Sequence, residues 1–167
     1  MKKIWFVGES IVLAALDQSL KSYAEQNLDS GEEKHLTDRI VLRRVKNKGM
    51  CLNFLQDRPD AVKVISTFAA LAVTGMQAAG LFRKGHFLRK KGLALLSAGA
   101  WSNTFDRWTK GGVVDYIGIK CTNEKVSAIT YNLADFFIFA GNVILVATAL
   151  FPRRKRKNMK PKKNMVS

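Results

Sequence analysis

Apolar positions along the chain gather into four blocks, separated by polar stretches of unequal length and charge. The blocks run from Ile4 to Leu20, Ala61 to Phe82, Phe87 to Phe105 and Ala134 to Phe151. Each is close to the roughly 20 residues that carry a helix across the hydrocarbon core of a bilayer. The third is the weakest, because it opens on Arg89, Lys90 and Lys91. Charge supports it nonetheless. Lys2 and Lys3 precede the first block, the hairpin from Gly80 to Lys91 holds five basic residues, and the stretch after Phe151 holds eight, with no acidic residue in any of them. The segment from Lys21 to Asp60 carries eight basic and seven acidic residues, and that from Asp106 to Leu133 four and three. Basic segments stay on the cytoplasmic side, so the pattern predicts an all-α membrane protein of four transmembrane helices. Both termini and the short hairpin are then cytoplasmic, and the two longer loops lie outside. The first block has the basic start of a signal peptide but lacks a small-residue cleavage site, and is read as a retained helix. Its Glu9 is expected either to snorkel to the cytoplasmic headgroups or to face the bundle.

The chain has 28 Lys and Arg against 13 Asp and Glu, a formal net charge of +15. So basic an average suggests nucleic acid, yet 47% of residues are apolar, and the charge lies between and after the apolar blocks. The membrane portion is expected over residues 1–151. Residues 152–167 are expected to form a disordered basic cytoplasmic tail held near anionic lipid headgroups. The tail has no interleaved aromatics to stack bases, so no nucleic-acid partner is expected. Two cysteines, Cys51 and Cys121, are too few for a disulfide framework. His35 and His86 stand in no metal-ligand spacing, and no metal or other cofactor is expected.

Orientation sorts the remaining polar residues. Asp17 falls near the outer end of the first span, Asp106 at the outer end of the third, Asp115 in the loop beyond it, and Asp135 at the outer start of the fourth, with Asn103 and Asn132 at the same depth. Each has a plain explanation of its own. Asp17 and Lys21 are spaced for an interfacial i,i+4 ion pair, Asn132 or Asp135 for a helix cap, and Asp106 with Arg107 for a helix-end charge pair. Together, four carboxylates and two amides at one leaflet are better explained by a site. No GxSxG, Gly-rich phosphate loop or nucleophilic Ser with a nearby Lys or His accompanies them. Paired aspartates remain: one keeps its proton as general acid while the other activates water. Such a pair would hydrolyse an amide where a helix leaves the bilayer.

The strings LDQSLK (Leu16 to Lys21), NKG (Asn47 to Gly49), AGAWSNTFDR (Ala98 to Arg107), GGVVDYI (Gly111 to Ile117) and YNLADFFI (Tyr131 to Ile138) resemble, in order, the motifs of the lipoprotein signal peptidases (signal peptidase II), intramembrane aspartic proteases with four transmembrane helices. The resemblance implies that Asp115 and Asp135 are the catalytic pair, supported by Asn103, Asp106, Arg107 and Asn132. Asp17 and Lys21 match its first-helix element, and Asn47 and Gly49 the outer-loop motif beside the substrate groove. It further implies an enzyme of the bacterial cytoplasmic (inner) membrane with its active site near the outer leaflet, acting as a monomer. Its substrates would be diacylglyceryl-modified prolipoproteins, whose signal peptide is removed before the lipidated cysteine. The chain departs from the family pattern at Met50, Cys51 and Leu52 and at Trp101, Ser102 and Thr104, positions tied to substrate fit and inhibitor sensitivity. The segment Leu36 to Leu55, rich in β-branched and long apolar residues, is expected to supply the family's small extracytoplasmic sheet. Two readings of other classes compete: a catalytically silent binder of lipopeptides or partner helices, and a small proton-coupled carrier. The carrier predicts acids near the midplane and an internal repeat; the acids here sit at one edge and no repeat is seen.

Overall fold

A computed structural model of the chain describes residues 4–29, 31–50 and 54–151. The basic tail, Cys51 and Leu52 lie outside the described residues. In chain order the elements are α1 (Trp5–Asn27), β1 (Glu33–His35), β2 (Ile40–Asn47), α2 (Pro59–Phe82), α3 (Phe87–Thr109), β3 (Val113–Ile119), the single-turn α4 (Glu124–Ser127), β4 (Thr130–Tyr131) and α5 (Leu133–Leu150). The fold is therefore mostly helical with a small antiparallel sheet.

The four apolar blocks are the four long helices, with ends set by local chemistry. Pro59 starts α2, where the missing N–H costs nothing, and Asn132 caps α5. α1 and α3 run one to two turns beyond their apolar blocks, to Asn27 and Thr109, because the extra polar turns find partners in the sheet layer. α2 and α5 are long and apolar enough to cross a membrane, with mean hydropathies of 1.5 and 2.0 over their best windows. Their large apolar side chains point outward, among them Phe68, Leu71, Phe139, Val143 and Val146, whereas Asp17, Lys21 and Asp106 are wholly buried. That inverts the usual soluble pattern.

α3 is the hub and packs against α1, α2 and α5. Its seam with α5 depends on glycine. A Cβ added at Gly99 would stand 2.4 Å from the Ala134 carbonyl oxygen, and one at Gly141 2.7 Å from the Gly92 carbonyl oxygen. Small residues at the seam are what let the two backbones come this close. Toward the Phe6 end, Ser10 Oγ donates to the Phe6 and Ala94 carbonyls, and Gln77 Nε2 to the Phe6 carbonyl and Ser10 Oγ, tying α1, α2 and α3 together. Glu9 pairs with Lys91 on α3, so it faces the bundle instead of snorkelling.

The strands order β1-β2-β3-β4, all antiparallel. Only β2 falls within the expected segment Leu36 to Leu55, and residues 36–39, 49–50 and 54–55 are bends and turns. The rest comes from Glu33–His35 before it and from the two short stretches flanking α4. Asp115, expected in a loop, is instead part of the buried strand β3. Hydrophobic alternation is weak there because both faces of β3 are covered, so period 2 is lost. Tyr116 and the end of α1, at Ala24 and Leu28, form a small core with Leu42, Ile117 and Leu133. Arg43 bonds the Ser127 and Ile129 carbonyls and Thr130 Oγ1, pinning the chain that leads into α5.

Candidate active site

Two carboxylates meet where α3, β3 and the start of α5 converge. Asp115 is on β3, opposite Val45 of β2, and is 3% exposed. Asp135 is the third residue of α5. It forms a capping box with Asn132: the Asp135 N–H donates to Asn132 Oδ1 at 2.9 Å and the Asn132 N–H to Asp135 Oδ2 at 3.0 Å. This leaves the Asn132 NH2 facing the strand, where it donates to Asp115 Oδ1 at 2.6 Å. One cap residue thus links both acids. The expectation that Asn132 or Asp135 caps the helix is met by both at once.

Three asparagines supply donors by one device. An amide has a carbonyl end and an NH2 end, and whichever end the scaffold engages fixes what the other presents. Asn132 Oδ1 is held by the Asp135 N–H. Asn47 Oδ1 accepts from the Gly49 N–H at 2.9 Å, and its NH2 reaches Asp115 Oδ2 at 3.2 Å. Asn103 Oδ1 accepts from Lys21 Nζ at 2.8 Å, and its NH2 donates to Asp135 Oδ1 at 3.0 Å. Both oxygens of each aspartate therefore have a donor. Arg107 bonds the Asn103 and Gly49 carbonyls, at 3.3 and 3.2 Å, and joins the outer-loop motif to α3.

Asp17 and Asp106 are not members of this pair. Lys21 Nζ lies 2.8 Å from Asp17 Oδ2 and 3.1 Å from Asp106 Oδ2, and all three side chains are fully buried. Lys110 adds a contact to Asp106 Oδ1 at 3.1 Å. Lys110 also pairs with Glu25 Oε2 at 2.7 Å, so two lysines hold three acids. The i,i+4 pair Asp17–Lys21 exists, but it is buried inside the protein and not exposed on a helix surface. Asp106 does not pair with Arg107; besides the lysines it accepts from the Val114 N–H at 3.2 Å, which fixes the turn bringing Asp115 back onto α3. The expected cluster of four carboxylates is thus two layers, an ion cluster centred on Lys21 and a pair held by asparagine amides, with Asn103 touching both.

Three further residues join the ion cluster that sequence reasoning does not single out as site residues, although Gln18 and Ser102 lie inside the strings LDQSLK and AGAWSNTFDR. Gln18 Nε2 donates to Ser102 Oγ at 2.9 Å and to Asp106 Oδ1 at 3.1 Å. Ser102 Oγ donates to Asp17 Oδ2 at 2.6 Å, so a departure from the family pattern is built into the network. The Tyr116 hydroxyl donates to Asp17 Oδ1 at 3.2 Å and accepts from the Leu133 N–H at 3.2 Å. Only the alternation of β3, which sends Asp115 and Tyr116 to opposite faces, could point to it.

Electrostatics separate the two layers. Burial, and after it the facing charge of Asp135, push Asp115 up to about 7, against the lowering effect of the Asn47 and Asn132 hydrogen bonds and of Lys21. Two close carboxylates resist double ionisation and share one proton near neutral pH. Among the described residues no three His, Cys, Asp or Glu side chains are grouped to hold a metal ion. The pair can hold one proton and take another.

A family model described as signal peptidase (SPase) II matches residues 10–151. Similar curated proteins include the lipoprotein signal peptidases of Mesorhizobium japonicum, 31% identical over 90% of this chain and 89% of the relative, and of Chromobacterium violaceum, 30% identical over 87% and 90%. That of Sulfurihydrogenibium sp. is 26% identical over 93% and 96%. Two solved structures of bacterial membrane enzymes share the fold. One superposes with a TM-score of 0.78 over 93% of this chain and 94% of its own, the other with 0.71 over 89% and 93%, each at 19% identity.

Proposed function

Because the chain belongs to the signal peptidase II family, a family of proteases that process bacterial lipoproteins, we propose that Asp115 and Asp135 are its catalytic residues and that it works by an aspartic mechanism. The observation that carries this is the Asn132 bridge, which holds the two acids in one amide-lined niche. Asp135, in the first turn of α5 and the more accessible of the two acids, is the base. Asp115, the more buried acid, holds the proton. Water gives a proton to Asp135 as its oxygen bonds to the scissile carbonyl carbon. Asp115 gives its proton to the leaving amide nitrogen as the C–N bond breaks. The pair ends with its protonation reversed and resets by one proton exchange. Asn47, Asn103, Asn132 and Lys21 act as positioning residues; Arg107 and Gly49 fix the loop beside the niche, and Asp17 and Asp106 hold Lys21.

In this reading α1, α2, α3 and α5 all span the bacterial cytoplasmic membrane, with residues 152–167 as a cytoplasmic tail. Twenty-three residues of α3 extend about 35 Å, enough to cross despite its charged ends. The basic hairpin Arg83–Lys91 then faces the cytoplasm, and the acids lie at the outer leaflet. A diacylglyceryl cysteine would anchor a prolipoprotein at that depth and put the preceding peptide bond at the pair, in a monomeric enzyme.

The test is incubation of the purified protein in detergent with a diacylglyceryl prolipoprotein peptide and with its unlipidated twin. Cleavage of the lipidated peptide alone, immediately before the modified cysteine, is expected. Equal cleavage of both peptides, or a cut elsewhere, would refute the substrate assignment.

A further inference from the structure

At the end of the bundle away from the aspartates, a cavity of about 180 Å³ opens between α2 and α3, lined by Arg83, His86, Arg89 and Lys90 above an apolar floor that includes Met76 and Leu93. We propose that this cavity binds the anionic headgroup of a membrane phospholipid, with the upper acyl segment against its apolar floor. The assignment rests on the orientation given above, in which this end faces the inner leaflet.

Three observations support it. First, the three lining cations Arg83, Arg89 and Lys90 have no ion pair and no side-chain hydrogen bond among the described residues, whereas the neighbouring Lys91 is matched to Glu9. No acidic residue occurs between Asp60 and Asp106, so neither helix offers a counter-charge. Second, α3 begins at this cavity without a side-chain cap; its cap residue, His86, has φ +56, and its first turn holds no acid. Uncapped amides and the positive end of the helix dipole add to the lining cations, a concentration of like charge that an anion relieves. Third, the depth fits. Asn103, which touches Asp135, lies 17 residues along α3 from His86, about 25 Å of helix rise, against a hydrocarbon core of about 30 Å. A cavity with a cationic rim and an apolar floor at headgroup depth matches an anionic lipid better than a free anion, which has no use for the floor.

Diffuse attraction of the basic face to anionic lipid would give the same gross charge effect, so the test compares two substitutions of equal charge on one hairpin. Arg89 lines the cavity; Lys84 does not. Neither belongs to the catalytic machinery, so cleavage of the lipopeptide by Arg89→Gln and Lys84→Gln is expected to match the parent, which also certifies folding. The full chain is released from detergent in a native mass spectrometer after titration with phosphatidylglycerol, with phosphatidylcholine, or with soluble glycerophosphoglycerol. The expected result is selective retention of one phosphatidylglycerol, lowered about fivefold or more by Arg89→Gln and unchanged by Lys84→Gln. Equal losses in the two variants, or equal retention of the two lipids, would overturn the proposal. Retention of glycerophosphoglycerol as firmly as the lipid would overturn the lipid assignment. Labelling of Lys84→Cys in a chain that also carries Cys51→Ser and Cys121→Ser, in sealed vesicles, checks the orientation separately: reaction from the outer side would refute the topology while leaving the binding result to be judged by itself.

Discussion

Lys21 is the residue whose removal separates fold from chemistry most cleanly. Its ammonium is fully buried, with Asp17 at 2.8 Å, Asp106 at 3.1 Å and Asn103 Oδ1 at 2.8 Å. Lys21→Met keeps the volume and deletes the charge, leaving Asp17 without a cation and Asp106 with Lys110 alone. Breaking a buried pair by removing one partner costs about 3–5 kcal/mol, so a marked fall in Tm in detergent is expected. Asn103 also loses the donor that fixes its carbonyl end, and its NH2 is no longer committed to Asp135. A hydrogen bond to a charged group contributes about 1.5–3 kcal/mol, which sets the expected loss in kcat at about tenfold to a hundredfold. KM should change little, because nothing in the substrate's path is altered. The double variant Asp17→Asn with Lys21→Met removes one charge of each sign and should recover much of the Tm without recovering kcat. Recovery of kcat along with Tm would refute the positioning role. An unchanged Tm in the single variant would refute the buried ion cluster itself.

Other predictions follow from the same geometry. Asn132→Ser retains a cap oxygen for α5 but loses the NH2 that donates to Asp115. Tm should therefore stay close to the parent's, while the alkaline limb of the kcat/KM profile, set by Asp115 at about 7, moves to higher pH; a fixed limb would dissociate Asp115 from it. Asp115 is raised in the folded state, so the stability it confers is present below its unfolded value and is lost as pH rises through about 7. Asp115→Asn should accordingly raise Tm at pH 8 relative to the parent and not at pH 4, a pattern read by thermal unfolding at the two pH values. Gly99→Ala puts a methyl group where only 2.4 Å separates it from the Ala134 carbonyl oxygen. Overpacking of about 1–3 kcal/mol and displacement of α5 from Asn103 should lower Tm and cleavage together, and a neutral effect would contradict the close seam.

Much of this site is legible in the sequence because membrane burial makes polar residues costly and therefore informative. Asp115, Asp135, Asn103 and Asn132 stand out against apolar surroundings, and charge bias alone arranges them at one end of the bundle. Selecting Asp115 and Asp135 from four aspartates needs more. Asp17 and Asp106 differ from them in being matched by Lys21 and Lys110; the i,i+4 spacings Asp17–Lys21 and Asp106–Lys110 are visible in the sequence, but the Lys21–Asp106 contact that joins them into one buried cluster leaves no mark on it. Resemblance to the family makes that choice. Helix bodies follow from apolar runs, but the ends of α1 and α3 do not, since their last turns are stabilised by contacts with the sheet layer, Ala24 and Leu28 against Tyr116 among them, that lie beyond the apolar blocks. β3 reads as a loop because a strand covered on both sides has no alternation to show. Ser102 marks the opposite limit. By pattern it is a departure, yet its hydroxyl sits between Asp17 and Gln18.

The most direct test is single-turnover cleavage of a diacylglyceryl prolipoprotein peptide by purified Asp115→Asn and Asp135→Asn proteins beside the parent, with lipopeptide binding measured in parallel. Both variants are expected to bind and neither to cut, since one lacks the proton donor and the other the base. Sustained cleavage by either variant would contradict the assignment of that residue to the pair.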